Sequence, residues 1–237
     1  ASPVMPAALA RGGRPVFVMR TADDADRLRQ HLQLHQANTA VVVGASMVGI
    51  KVAELLHKRG IKTTLMDAAA TIFPLAAYPT TASVIEATLM QEGLNLRMGV
   101  TIVAVSREGV VLDDGSTVPA DVVCLCIGTR ANLDVLAGTQ EPRIAVGRGI
   151  VVDTRMETSV PGIYAAGDCC EGTDLQTGAT MIIGLWANAA AQGGCTGRNM
   201  AGIATHYYGS FPHNVTRFFG MTFVGLGDPA LPGKHQA

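Results

Sequence analysis

VVVGASMVGIKVAE, residues 41–54, is the stretch whose reading decides the fold. A run of β-branched residues, the composition of a buried strand, stops at Gly44, and helical spacing follows. A strand that ends in glycine can turn sharply into a helix. Two positions on, at Ser46, a dinucleotide-binding turn brings its backbone against a pyrophosphate, and Gly49 lets the helix lie close on the strand. The first-turn backbone at Ser46, Met47, Val48 and Gly49 then offers unpaired N–H groups to the phosphates, helped by the helix dipole. The pattern expects glycine at position 46. Serine adds a side chain where space is short, and its hydroxyl adds a donor for a phosphate oxygen.

Outward from this turn the context agrees. A second strand, residues 61–66, follows, and Asp67 stands at its end, about twenty residues beyond the glycines. An acid there accepts hydrogen bonds from the adenosine ribose hydroxyls and repels a 2′-phosphate. No arginine follows in AAATIFP, so the reading favours NAD, as NADH, over NADP. Taken alone, the glycines are a tight turn and Asp67 a solvated strand end.

Strand patterns at 15–19, 40–43, 61–66, 95–97 and 121–127 alternate with helical ones at 47–59, 80–92 and behind Thr21, which caps a helix with acids in its first turn. Segments 101–105 and 109–112 read as β-strands with DDGS as the following turn. The fold class is therefore α/β: a Rossmann-like domain whose parallel sheet has helices on its faces, with a β-meander. Residues 138–149 read as loop, GIVVD and GIYAAGD as two short strands, and 184–201 as a glycine-rich helix. RFFGM and FVGLG in the tail are strand-like.

Composition narrows the function classes. Of 237 residues 48% are hydrophobic and 16% charged, enough for a sizeable core, and the formal net charge of −1 gives nucleic acid no basic surface. No apolar run reaches the length of a membrane span, and the N-terminal residues lack the pattern of a signal peptide, so a cytoplasmic protein is expected. The five cysteines have no metal-ligand spacing, so no metal site is expected. Cys124 and Cys126 share one face of a strand and read as packing residues. Cys169 and Cys170 are adjacent; a disulfide between them is strained, and they read as reduced thiols.

TSVPGIYAAGD, residues 158–168, resembles the second flavin motif of the pyridine nucleotide–disulfide oxidoreductase family. The resemblance implies that Asp168, with Gly167 before it, bonds the ribityl chain of FAD. LWANAAAQGGCTGRNMAG, residues 185–202, is similar to the family helix whose N-terminal end, here Leu185, Trp186 and Ala187, faces the flavin. IGTRAN, with Gly128, resembles the segment that closes the NAD domain, ASPVMP the piece after the family's ATG motif, and HNVTRFFGMTFVGLGDP the entry to the interface domain. The implied organisation is 1–37, end of a first FAD-domain segment; 38–148, NAD domain; 149–205, second FAD-domain segment; 206–237, start of the interface domain.

The resemblance implies an internal fragment of an NADH-dependent flavoprotein that passes a hydride to FAD and electrons onward to an unidentified acceptor: a disulfide, oxygen, an iron–sulfur protein or a partner subunit. The family's first FAD-binding loop and redox cysteines have no counterpart here, so the chain is expected to retain FAD poorly and to hold no catalytic residue itself. The parent is expected to be a homodimer or a subunit of a complex. Lys51 stands where the family often has glutamate; it either favours an anionic reduced flavin or reaches solvent. GASMVGIK with LWANAAAQG is closer to electron-transfer flavoprotein subunits than to glutathione-type reductases. A dehydrogenase acting without flavin would need an acid–base residue beside the nicotinamide. His31, His35 and His57 fall on helices and His206, His213 and His235 in the tail, away from such a position.

Overall fold

The computed structural model describes residues 1–10, 13–138 and 143–231. Part of the 138–149 loop, and the end of the tail with His235, lie outside the described residues. The chain divides into two compact units. One comprises Pro3–Gly128 and the chain from Asn214 onward; the other comprises Ala1–Ser2 and Thr129–His213.

The first unit is built on a five-stranded parallel sheet. Its strands are β1 (Val16–Val18), β2 (Thr39–Val43), β3 (Lys62–Asp67), β4 (Asn95–Met98) and β8 (Val122–Leu125), in the order β1-β8-β2-β3-β4. The connections include helices α1 (Ala22–Leu34), α2 (Met47–His57) and α3 (Pro79–Gln91). Between β4 and β8 the chain forms an antiparallel meander of β5 (Ile102–Val105), β6 (Gly109–Leu112) and β7 (Thr117–Pro119). β1 and α1, on the N-terminal side of residue 38, lie in the same compact unit as the sheet.

The valine run is continuous because both faces of β2 are covered. Successive side chains of a strand point to opposite faces. Ala40 and Val42, with Leu65, Val122 and Cys124, pack on the helices through Ile50, Ala53, Leu56, Ile85 and Leu89. Val41 and Val43, with Met66, Val123 and Leu125, pack on the meander through Val105, Val110, Leu112 and Val118. A strand buried on both faces needs no polar alternation, and each fully buried valine or leucine contributes roughly 1.5–3 kcal/mol. The sequence reading put helices on both faces; the structure gives one face to helices and the other chiefly to the meander.

Thr21 caps α1 as expected. Its hydroxyl accepts from the Asp24 N–H at 3.2 Å, while the Asp24 carboxylate accepts from the Thr21 N–H at 2.9 Å.

The tail contributes a hairpin, β9 (His213–Phe218) and β10 (Met221–Leu226). Phe218 and Phe223 pack against Phe73, with ring centroids 5.6 and 4.8 Å apart. A buried carboxylate fixes this hairpin to α2. Glu54 accepts from Lys51 Nζ at 2.7 Å, from Lys58 Nζ at 2.6 Å and from the Phe219 N–H at 2.9 Å. Burial alone would raise its pKa; these bonds and the charge of Lys51 overcome burial and hold it at about 2. A carboxyl whose folded pKa lies below its unfolded value adds stability above the unfolded pKa, and that stability is lost as pH falls through the folded one. The shift corresponds to about 3 kcal/mol. Acid titration of unfolding should therefore show a loss of about that size between pH 4.5 and 2, and Glu54→Gln should remove this part of the pH dependence. An unchanged acid profile in the variant would overturn the assignment.

The second unit has little regular sheet. GIVVD and GIYAAGD do not form the two strands expected of them; among the described residues they make isolated bridges, Val146 with Ile150, Ile150 with Cys170, Val152 with Thr158 and Glu157 with Tyr164. Their backbone groups bond instead to scattered turn partners: the Ile150 N–H donates to the Cys169 carbonyl, the Asp153 N–H to the Glu157 carbonyl and the Ala165 N–H to the Met156 carbonyl. The long helix of this unit is α4 (Trp186–Met200). Its buried face is polar: Asn188, Gln192, Cys195 and Asn199. Asn199 Nδ2 donates to the carbonyls of Arg155 and Thr205, and its Oδ1 accepts from the Thr205 N–H. Asn188 donates to the Ile183 carbonyl, and Gln192 accepts from the Gly167 N–H. Buried backbone groups need partners, and here amide side chains supply some of them where a sheet ladder is missing.

Candidate functional site

At the carboxyl end of β2 the chain turns through Gly44, whose φ is +103°. Its N–H donates to the Met66 carbonyl at 2.8 Å, and the Cys126 N–H donates to the Val43 carbonyl at 2.7 Å. The three strands thus stay paired to the point where the turn begins. A Cβ on Gly44 would lie 2.4 Å from the Cys126 carbonyl oxygen, and one on Gly49 would lie 1.7 Å from the Gly44 carbonyl oxygen. Close backbone approach favours glycine at both positions, as the sequence pattern implies.

Ser46 is the N-cap of α2. Its backbone is extended, φ −89°, so a Cβ is accommodated where the motif expects glycine. The hydroxyl donates to the Cys126 carbonyl at 3.1 Å and accepts from the Gly49 N–H at 3.4 Å. The hydroxyl thereby ties the turn to the strand end at Cys126. Met47 follows at the first helical position, and Val48 is 46% exposed.

Asp67 ends β3 beside this turn. One carboxylate oxygen accepts from the Ala45 N–H at 2.7 Å and the other from the Ala69 N–H at 2.8 Å. The acid therefore braces the glycine turn and the chain that leaves its own strand. Phe73, in the loop that follows, has φ +47° and is buried; its N–H donates to the Ala45 carbonyl. A bulky side chain held in this region is strained, and such residues cluster at functional sites. The sequence reading passed over Phe73, because nothing in ATIFP signals a positive φ.

These elements surround a cavity of about 580 Å³. Gly44, Ser46, Met47, Asp67, Phe73 and Gly128 line it, together with Leu75 and Ile127. It opens where β2 and β3 lead one way in the sheet order and β8 lies on the other side of β2, the switch point at which open α/β sheets bind ligands. Cys126 also lines it, but burial pushes its thiol up to about 12 and leaves it a packing residue. Lys51 is not among the lining residues. Its side chain is 48% exposed, as the solvent reading expects, while its ammonium is also held by Glu54 and by the Arg217 carbonyl at 2.9 Å, which tethers the hairpin.

The residues of the flavin-type motif gather in the second unit. Gly167 has φ +83°, and its N–H donates to Gln192 Oε1 at 2.8 Å. A Cβ on Gly184 would lie 3.6 Å from an Asp168 carboxylate oxygen, which places Asp168 beside the segment entering α4. Leu185 is the N-cap of α4 without a side-chain cap, Trp186 is 91% exposed and Ala187 is exposed. The sequence reading did not single out Gln192; it lies 25 residues from Gly167 in the chain, so nothing local signals the contact.

Together these features define an α/β protein with a nucleotide-type glycine turn, an acid at the end of the next strand, and a second unit carrying a glycine–aspartate turn against a helix start. The profile of the family described as pyridine nucleotide-disulphide oxidoreductase matches residues 2–193, and the chain belongs to that family. It is 28% identical over 217 residues to the NADH oxidase of Methanocaldococcus jannaschii, covering 90% of this chain and 48% of that protein. It is 28% identical over 238 residues to the NADH-dependent phenylglyoxylate dehydrogenase subunit epsilon of Aromatoleum evansii, covering 98% and 55%. The chain thus spans about half the length of these curated relatives. Among solved structures it resembles the water-forming NADH oxidase from Lactobacillus brevis bound to NADH, with TM-score 0.85, 28% identity, and 95% and 50% coverage. An engineered NADPH-bound variant of that oxidase matches with TM-score 0.84, 26% identity, and 94% and 49% coverage. Among the described residues no helix is long and apolar enough to cross a membrane.

Proposed function

We propose that the cavity at the end of β2 is an NADH site and that the chain is part of an FAD-dependent NADH:acceptor oxidoreductase. One observation carries this reading: Asp67 stands at the cavity wall with its carboxylate anchored to the glycine turn. Pyrophosphate would lie on the first-turn N–H groups of α2, and the adenosine ribose would bond Asp67. In the engineered oxidase, substitutions fall on a glycine, on an aspartate 18 positions later, on the two residues after it, and on a proline 7 positions past the aspartate. In this chain the same spacing meets Gly49, Asp67, Ala68, Ala69 and Pro74. That coincidence supports Asp67 as the residue that selects NADH.

In the second unit, Gly167 and Asp168 would hold the ribityl chain of FAD, and the α4 start at Leu185, Trp186 and Ala187 would face its ring. The residues fit that role: the turn needs glycine, and a helix N-terminus favours negative charge on a reduced flavin. FAD, when bound, supplies the hydride acceptor; the protein's part is orientation and electrostatics. The segments 149–205 and 206–237 would then belong to the flavin and interface parts of the whole protein.

A second reading is a non-catalytic NAD(H)-binding or electron-transfer subunit module inside a larger complex, with no turnover of its own. The match along nearly the whole chain to a relative named as a subunit favours it. Paired titrations with NADH and NADPH, followed by dihydronicotinamide fluorescence, test the nucleotide site. Saturable binding of NADH and much weaker binding of NADPH are expected; binding of neither would overturn the site. Steady-state diaphorase turnover after FAD addition would argue against the subunit reading.

A further inference from the structure

The cavity at the end of β2 holds no base of its own. Neither lysine nor arginine is among its lining residues, and the polar ones are Ser46, Asp67, Thr101 and Asn214. The Ser46 hydroxyl donates to the Cys126 carbonyl, and the Asp67 carboxylate only accepts. Thr101 stands on the meander side, just before β5. Asn214 comes from the tail hairpin instead. It is half-buried, and its carboxamide has no hydrogen-bond partner among the described residues.

The seat of the hairpin fixes where this carboxamide stands. β9 runs alongside α2 in step with it. The Phe219 N–H meets Glu54, and the Arg217 carbonyl meets Lys51 Nζ, each at 2.9 Å. Stepping back from Arg217 to Asn214 covers about 10 Å of strand, and from Lys51 to Met47 about 6 Å of helix. Asn214 thus comes level with the first turn of α2, and it lines the same cavity as Ser46 and Met47. The second strand of the hairpin closes on the loop after β3: a Cβ on Gly225 would lie 2.8 Å from the Ala76 carbonyl oxygen. Both strands of the tail are therefore fastened to the cavity wall.

We propose that Asn214 is a further dinucleotide-binding residue, whose Nδ2 donates to the pyrophosphate held at the start of α2. The inference rests on reading this cavity as the NADH site. A pyrophosphate brings negative charge to a wall that carries one acid, Asp67, and no base. The helix N–H groups and dipole answer part of that charge. An unpartnered amide beside the same turn answers more, since a hydrogen bond to an ionised acceptor is roughly twice as strong as a neutral one. A residue of the segment read as the start of the interface domain thus completes the nucleotide site.

The test titrates the chain and its Asn214→Ala and Asn214→Asp variants with NADH by dihydronicotinamide fluorescence, and with ADP and adenosine by displacement of NADH. Asn214→Ala should weaken NADH and ADP alike, by about ten-fold, and leave adenosine, which carries no phosphate, within about two-fold of the parent. Asn214→Asp should weaken NADH and ADP further, because a carboxylate repels the phosphates, and added salt should recover part of that extra loss. Thermal unfolding of both variants should match the parent, since the carboxamide holds no other group. Three results would each overturn the assignment. NADH and ADP affinities unchanged in both variants would leave the carboxamide without a part. A loss shared equally by adenosine would make its role structural. A loss confined to NADH would move it to the nicotinamide half. A parent chain that binds none of the three ligands would overturn the NADH-site reading and this inference with it, whereas unchanged variants of a parent that does bind would overturn this inference alone.

Discussion

Replacing Asp67 by alanine is expected to weaken NADH binding about ten- to a hundred-fold. Hydrogen bonds to a charged carboxylate contribute about 1.5–3 kcal/mol each, and 1.4 kcal/mol is a factor of ten. The same change removes the acceptor of the Ala45 and Ala69 N–H groups, so part of the loss would come from a looser turn. The ratio of affinities separates the two effects, since a looser turn weakens NADH and NADPH alike. Pairing Asp67→Ala with Ala68→Arg removes the charge that repels a 2′-phosphate and adds one that attracts it. The double variant should therefore bind NADPH more tightly than NADH, a reversal that loosening alone cannot produce. Titration of both dinucleotides against the parent and the two variants measures this. NADH affinity within two-fold of the parent in Asp67→Ala, or an unchanged ratio in the double variant, would sink the ribose assignment.

What could be read from the sequence follows from what each signal depends on. The β2 turn, Asp67 and the cap at Thr21 are local: strand composition, a glycine with positive φ, an acid at fixed spacing and a capping box each leave their mark within a few residues. The middle of the parallel sheet is legible for the same reason, because β2 and β8 are buried almost throughout and read as apolar runs. What covers the second face is not local. Nothing in VVV distinguishes a helix from the meander of β5, β6 and β7 as the neighbour of Val41 and Val43. At GIVVD and GIYAAGD apolar alternation suggests strands, but their backbone groups bond to scattered turn partners and, at Gly167, to the Gln192 amide. Motif position suggests a phosphate for the Ser46 hydroxyl, and either the flavin or solvent for Lys51. Their actual partners, the Cys126 and Arg217 carbonyls, lie 80 and 166 residues away in the chain. Long-range polar contacts of this kind have no sequence period to betray them.

Gly44→Ala is the substitution expected to damage the protein most. Two independent effects meet at this position. The backbone φ of +103° is one that side chains rarely adopt, a strain of about 1–3 kcal/mol. The new Cβ would also lie 2.4 Å from the oxygen and 2.7 Å from the carbon of the Cys126 carbonyl. That contact is backbone on β8's end, so no side-chain rotation relieves it, and overpacking of this kind costs about 1–3 kcal/mol more. The sum, about 2–6 kcal/mol, is a large part of the stability of an ordinary domain. Relief requires the end of β8 to move from β2, which would carry Gly128 away from the cavity it lines. The variant should therefore melt at least about 5 °C lower and lose NADH binding together with stability. Gly60→Ala is the matching control. Its φ is +78°, but nothing lies within 4 Å of the added Cβ, so it carries the conformational strain without the collision. It should melt lower by the strain alone, about half the loss expected for Gly44→Ala, and bind NADH unchanged. If Gly44→Ala instead matched Gly60→Ala in both thermal unfolding and NADH titration, the close approach of the turn to the β8 end would not be what demands glycine there.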